Sequence, residues 1–273
     1  MNSLYLLGPG QSFNTVAKKI LQDKESKKLA LQKVFPHCLT LHGIEPDFWT
    51  WQDPHGSIEG LQFILKNNQK LKKMKLLIPD YVVDTYSLFR EYCGTTRINN
   101  EIKWAIYLEL LKKAGEYVEV QVVPATTTKH IARRPFLNKD YAQKDLSDKD
   151  FYLRFMFEKV VYGTIEFDSD RIIGNKNKWG LENKLSSVMF PLGAFLKAKE
   201  VYPVGFDFIG SRFYDSNNSF GTWGNNVGTI NEGMQIAIDA IKKWVTWSSL
   251  NNMYIKSVIK EDTWILNSVL EKL

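Results

Sequence analysis

The stretch Leu4-Tyr-Leu-Leu-Gly-Pro-Gly-Gln-Ser-Phe-Asn-Thr-Val16 decides the fold. Four apolar residues run straight into Gly8-Pro9-Gly10, and a helical spacing of Phe13, Val16 and Ile20 follows. A short apolar run bounded by a turn reads as a buried parallel strand. Glycine directly after a strand permits a tight turn and close approach to main-chain N–H groups. Those groups and the positive end of the next helix favour an anion such as phosphate. A nucleotide at a first βα turn is therefore the first expectation. The loop lacks the third glycine of the dinucleotide fingerprint, and an ordinary glycine turn reads equally well.

Working outward, a first helix is expected over about Thr15 to Leu31 and a second strand at Cys38–Leu41, followed by the turn His42-Gly-Ile-Glu-Pro46. Asp47-Phe-Trp-Thr-Trp51 reads as a strand that ends at Gln52-Asp53-Pro54-His55-Gly56. Ser57 then opens an amphipathic helix with Ile58, Leu61 and Leu65, and Lys75–Pro79 reads as the next strand. Alternating strands and helices predict a parallel sheet flanked by helices, an α/β fold. Tyr81–Lys113 is expected to be helical, with Ile102, Ala105, Ile106 and Leu110 on one face, before a strand at Val118–Val123. Residues 124–183 hold the least patterned part of the chain. They read as an insertion or lid within a single domain spanning 1–273, although Val160–Phe167 has strand character. Ser186-Ser187 precedes a helical run, and Val201–Val204 is a strand feeding Gly205-Phe-Asp-Phe208. A long Gly, Asn, Ser and aromatic loop follows to Gly228. Thr229 and Glu232 match a capping box, Tyr254–Ile259 is read as the last strand, and Trp264–Leu273 as an amphipathic tail helix.

With 273 residues, the chain can bury a sizeable core, and 44% hydrophobic with 24% charged residues is ordinary for a globular protein. No apolar run reaches the roughly 20 residues of a membrane span, and no signal peptide is expected at the amino end. Two cysteines, Cys38 and Cys93, without CxxC spacing argue against a disulfide framework or structural zinc. A cytoplasmic setting is expected. The net charge of +6 suits an anionic ligand or surface. Much of that excess sits in the run Lys66–Lys75, either a solvated helix end or a phosphate- or lipid-facing patch. The aromatic content of 13%, crowded into apparent loops, favours stacking on rings or sugars over a nucleic-acid code.

Loops at the carboxyl edge of a parallel sheet bind ligands. Three carry suggestive residues: Gly8–Ser12, Gln52–His55, and Gly205–Asp207 with its aromatic extension. Ser186-Ser187 at a helix start adds hydroxyls and N–H groups for an anion, although N-capping explains one of them. Asp168-Ser169-Asp170 could hold Mg²⁺ or Mn²⁺ against a nucleoside diphosphate, or be a plain acidic turn.

The order of these segments resembles the bacterial lipooligosaccharide sialyltransferases and the related domain of flagellin-modifying motility accessory factors. Gly8-Pro9-Gly10-Gln11-Ser12-Phe13 stands where that family has Gly-Asn-Gly-Pro-Ser-Leu, with Pro9 in place of the asparagine. Leu185-Ser186-Ser187 matches its nucleotide-contacting Thr-Ser-Gly segment. Val204-Gly205-Phe206-Asp207-Phe208 matches its Ser-Gly-Ile-Asp-Phe segment beside the cytidine, and Pro46-Asp47 with Asp53-Pro54 is similar to an element of the accessory-factor group. The resemblance implies a Rossmann-like, mostly parallel sheet flanked by helices with an inserted lid. It also implies metal-independent glycosyl transfer from a cytidine-monophosphate sugar to a glycan or glycolipid acceptor, with no further cofactor. Gly8, Gly10, Gln11, Ser12, Ser186, Ser187, Gly205, Phe206 and Asp207 would then bind the donor. The family's catalytic histidine precedes the helix after the lid loop; this chain has Gly228-Thr229 there and no histidine beyond His130. His55, Asp53 and Asp215 are the substitute bases, each also readable as a turn, helix-start or loop residue. Tyr214 is the counterpart of a tyrosine whose hydroxyl stabilises the departing phosphate. The rival readings are a metal-dependent transferase using Asp168 and Asp170, and a non-catalytic nucleotide- or glycan-binding module. The tail with Trp264, Ile265 and Leu266 suits core packing, with peripheral contact at the inner face of a membrane as the alternative. A homo-oligomer is left open.

Overall fold

The computed structural model describes residues 1–51, 54–67, 71, 73–79, 97–123, 185–207, 211–219, 238, 241–242, 244–246, 248–250, 252–260 and 265–272. The first half of the chain forms β1 (Ser3–Leu7), α1 (Ser12–Gln22), β2 (Lys27–Leu31), α2 (Val34–His42), β3 (Phe48–Thr50), a 3-10 turn (Pro54–Ser57), α3 (Ile58–Lys66), β4 (Lys75–Pro79), α4 (Arg97–Ala114) and β5 (Glu119–Val123). Beyond these come a π-helical turn (Leu185–Met189), α5 (Phe190–Phe195), β6 (Glu200–Val204), β7 (Ser211–Arg212), β8 (Asp215–Ser219), β9 (Tyr254–Ser257), a second 3-10 turn (Ile265–Ser268) and β10 (Glu271–Lys272). Two units are distinguishable: Met1–Val16 with Thr126–Leu273, and Ala17–Ala125. The expected lid at 124–183, the helix start at Tyr81, the strand at Val160–Phe167 and the capping box at Thr229 lie outside the described residues.

In the first unit the strand order is β10–β9–β6–β1, every pair parallel, with an antiparallel hairpin of β7 and β8. In the second the order is β2–β3–β4–β5, again all parallel. Strands joined through helices into parallel pairs are the Rossmann-like α/β architecture expected from the sequence. The expected strand at Leu4–Leu7 is β1, and Leu4, Leu6 and Leu7 are fully buried. Burial of each such side chain contributes about 1.5–3 kcal/mol.

Several elements differ from expectation. The first helix stops at Gln22, because the Asp23 carboxylate accepts the N–H groups of Glu25 (3.0 Å) and Ser26 (2.9 Å) and the Ser26 hydroxyl (2.8 Å). That local turn competes with helix and frees Lys27–Leu31 to pair as β2. Cys38–Leu41 is not a strand but the second half of α2. Gly43 at φ +67° closes that helix by donating to Leu39 O, and Ile44 N–H reaches Cys38 O, a left-handed C-cap. Short apolar runs do not separate helix from strand by pattern alone.

The buried face of α4 is shifted by one residue from the expected one: Tyr107 and Ala114 are fully buried, whereas Ile106 is exposed. The Gly228-bounded loop contains the β7–β8 hairpin. The tail is a single 3-10 turn followed by β10, which pairs parallel with β9, so Tyr254–Ile259 does not hold the last strand. Leu266 and Leu270 are buried there, in agreement with the core-packing reading. Trp264 lies outside the described residues.

Trp49, Trp51 and Trp244 are core residues. In the second unit Phe35, Trp49, Trp51 and Tyr107 form a chain of ring contacts with centroids 4.5–6.4 Å apart. Trp49 Nε1 donates to Gln32 O (2.8 Å) and Trp51 Nε1 to the Tyr107 hydroxyl (3.2 Å), which satisfies both indoles inside the core.

One polar group in that core is not satisfied. The Thr50 hydroxyl is fully buried and has no hydrogen-bond partner among the described residues. An unpaired buried hydroxyl forfeits its hydration. Replacing it with a methyl of the same shape in Thr50→Val is expected to leave stability unchanged or raise it by about 1 kcal/mol. Urea denaturation reads the difference, and a loss of similar size would mean that the hydroxyl has a partner.

Candidate functional site

The site is built where β1 and β6 end side by side. Their parallel register pairs Leu7 with Val204, so the following loops, Gly8–Gln11 and Gly205–Asp207, leave the same carboxyl edge as neighbours. Gly8 N–H donates to Val204 O and Gly10 N–H to Gly205 O, both at 2.7 Å. This separation leaves no room for side chains. A Cβ on Gly8 would stand 2.5 Å from Gly205 O, and one on Gly10 would stand 2.4 Å from the Asp207 carboxylate. Gly205 itself sits at φ +73°, with a hypothetical Cβ 2.3 Å from Gly8 O.

Asp207 closes the arrangement. Its Oδ2 accepts Ser12 N–H at 2.8 Å, its Oδ1 accepts the Ser12 hydroxyl, and Ser12 Oγ accepts Gly205 N–H at 3.2 Å. α1 carries no acid in its first turn. Asp207 therefore supplies from 195 residues away the negative charge that a helix N-terminus favours. The N–H groups of Gly8, Gly10 and Ser12, which sequence reasoning directs at a phosphate, are used within this interlock.

A second layer joins from the hairpin. Gln11 Nε2 donates to Ser211 Oγ (3.0 Å) and Arg212 O (2.8 Å), and Phe213 N–H donates to Pro9 O (2.8 Å). Gly10 and Arg212 form an antiparallel bridge. The Phe213 ring stacks on Phe13 at 4.4 Å and 13°, and Tyr214 meets Phe213 edge-on at 5.0 Å. The structure thus brings together Gly8, Gly10, Gln11, Ser12, Gly205, Phe206 and Asp207 from the sequence reading, with Tyr214 in the adjoining hairpin turn. Arg212 was missed by that reading. Its only signal is a cation inside an otherwise Gly, Ser and aromatic loop.

The remaining expected residues belong to other segments of the chain. Ser186 and Ser187 lie in the π-helical turn ahead of α5. His55 lies in the 3-10 turn after β3, in the second unit, and Asp53 lies outside the described residues. Asp47 occupies the amino end of β3, where it accepts Lys28 N–H (3.0 Å) and pairs with Lys27 (2.7 Å). That is the amino edge of its strands, whereas ligands bind parallel sheets at the carboxyl edge.

Burial pushes the Cys38 thiol up to about 12, which keeps it protonated and unsuited to nucleophilic chemistry. Burial likewise raises the Tyr107 phenol, so it acts as a neutral hydrogen-bond partner. His37 pairs with Glu59 at 3.3 Å, and burial lowers the pKa of His42. Among the described residues no cluster of His, Cys, Asp and Glu could hold a metal ion; Asp168 and Asp170 lie outside them.

Parallel strands whose carboxyl-edge loops interlock through glycines define a Rossmann-like α/β fold, with the candidate site at that edge. No family model and no curated protein matches the chain. Solved structures do. The fold is similar to that of the sialyltransferase CstII from Campylobacter jejuni in complex with the substrate analogue CMP-3FNeuAc, at 14% identity and a TM-score of 0.47, over 100% of this chain and 86% of that one. It is similar to that of the sialyltransferase CST-II in complex with a trisaccharide acceptor and CMP, at 12% identity and 0.44, over 99% and 86%. A third is the monofunctional alpha-2,3-sialyltransferase Cst-I from Campylobacter jejuni, at 14% identity and 0.43, over 99% and 79%. At these identities the likeness is one of fold. No helix among the described residues is long and apolar enough to cross a membrane.

Proposed function

We propose that the protein is a sialyltransferase-like glycosyltransferase that moves a sialic-acid-like sugar from a CMP-activated donor to a glycan acceptor in the cytoplasm. Residues 1–273 act as one nucleotide-sugar-binding domain, with 124–183 as its lid. The observation that carries the reading is the meeting of Gly8–Ser12 with Gly205–Asp207 at one carboxyl edge. These are two segments that the motif order assigns to the nucleotide. The hairpin bonded to that loop adds support, since it carries Tyr214.

In this reading Ser186 and Ser187 donate to the nucleotide. Tyr214 donates to the phosphate as charge develops on the departing CMP, the point at which a fixed donor lowers the barrier most. Asp53 or His55 takes the proton from the acceptor hydroxyl, in place of the late histidine that the chain lacks. No metal enters the step. The missing histidine also favours a second reading, a nucleotide- or glycan-binding module without turnover.

Calorimetric titration with CMP tests the shared part. Binding is expected in the range of about 1 μM to 1 mM where substrate constants fall, and no binding of any nucleotide would remove the proposal. Turnover of CMP-activated sialic acid that survives a chelator separates the metal-independent transferase from one using Asp168 and Asp170. Intact CMP binding with no turnover or donor hydrolysis selects the binding module.

A further inference from the structure

We infer that Arg212 is the cation that binds the phosphate of the nucleotide at this site, an assignment that rests on the nucleotide-sugar reading above. Three observations carry it. First, the Arg212 main chain is fixed to the glycine loop from both sides of the residue. It bridges Gly10, its carbonyl accepts the Gln11 amide at 2.8 Å, and the next N–H is held by Pro9 O at 2.8 Å. The side chain therefore starts beside the loop in a defined place.

Second, Arg212 is half-buried as a residue, and its guanidinium makes no ion pair or hydrogen bond among the described residues. Asp215 is its register partner across the hairpin and would be the natural counter-ion, yet the two form no pair and Asp215 is engaged elsewhere. A guanidinium has five donors in a planar fork and cannot lose its charge, so one held beside the loop without a partner is primed for an oxyanion.

Third, the N–H groups of Gly8, Gly10 and Ser12 are used inside the chain, and Asp207 adds a negative charge at the helix end. The helix terminus alone then offers an incoming dianion little attraction, and a cation must supply it. Among the described residues, Arg212 is the arginine whose backbone touches that loop. Its fork matches two phosphate oxygens.

The test is titration of the full chain with CMP and, separately, with cytidine, which shares the base and ribose but lacks the phosphate. Wild type is expected to bind CMP more tightly than cytidine. Arg212→Gln should lose on the order of tenfold to a hundredfold in CMP affinity, the scale of a hydrogen bond to a charged group. Cytidine affinity and melting temperature should be unchanged, and Arg212→Lys should recover part of the loss. Unchanged CMP affinity in Arg212→Gln overturns the assignment while leaving the nucleotide reading intact. Equal losses for CMP and cytidine, or a lower melting temperature, overturn it by showing a structural role. Wild type that binds neither ligand overturns both.

Discussion

Gly205→Ala is expected to be the most damaging single-methyl change in the described residues, costing roughly 2–5 kcal/mol. Two costs add at this position. Gly205 has φ +73°, where an L side chain is strained by about 1–2 kcal/mol. The added methyl would also meet Gly8 O at 2.3 Å and Gly8 C at 2.8 Å. Those atoms are backbone, tied down by Gly8 N–H to Val204 O and Gly10 N–H to Gly205 O, so the clash cannot be relieved by a rotamer change. Domains are stable by only about 5–15 kcal/mol, which makes the loss a large fraction of the total.

Gly43→Ala provides the control. Gly43 has a similar φ of +67°, but the nearest atom to its added Cβ is the tip of the Leu21 side chain at 3.9 Å. That variant therefore bears the conformational cost alone, about 1–2 kcal/mol. Thermal and urea denaturation of the two variants should separate by the cost of the clash. Equal destabilisation would mean that the contact between the β1 and β6 loops relaxes, and the interlock would lose its structural role. CMP affinity should fall in Gly205→Ala and hold in Gly43→Ala.

What the sequence made legible follows the range of the interactions concerned. β1, β3, β4 and β6 are short apolar runs bounded by Gly, Pro or charge, and their burial leaves a local mark, whereas β5 shows through its partial alternation. The glycine turn after β1 was legible for the same reason. β2 was not, since its separation from α1 depends on one carboxylate, Asp23, folding back on Glu25 and Ser26. The β7–β8 hairpin has no glycine or asparagine at its Phe213–Tyr214 turn; Gln11, Pro9 and Phe13, some 200 residues earlier, hold it in place. The segments of the candidate site were readable from motif order, but not what each does there. Asp207 reads as a ligand contact in the sequence and acts as a cap on α1 in the fold, because only the fold brings Ser12 to it. Arg212 gave only the signal of a lone cation in its loop until its backbone was seen against Gly10.

Asp207→Ala is expected to weaken CMP binding by about 1–3 kcal/mol, the cost of leaving buried donors unpaired. The size alone does not say whether Asp207 touches the ligand or only shapes the loop; its coupling to Ser12 does. Both carboxylate oxygens are committed to Ser12, and Ser12 Oγ in turn receives Gly205 N–H. Ser12→Ala removes the hydroxyl from this relay and keeps the backbone N–H of residue 12 on the Asp207 carboxylate. If the pair works as one lock, the double variant Ser12→Ala with Asp207→Ala should lose clearly less than the sum of the single losses, with a coupling of about 0.5–3 kcal/mol. The same coupling should appear in thermal stability, because the lock also neutralises the N-terminus of α1. A carboxylate that contacts the nucleotide directly would instead give additive losses in CMP affinity together with coupled losses in stability. Asp207→Asn refines the result: its amide oxygen can still accept Ser12 N–H, so it should retain much of the stability while losing the charge that favours the helix end. Additive effects in both measurements would leave Ser12 and Asp207 as independent residues, and the closed geometry of the glycine loop would then need another cause.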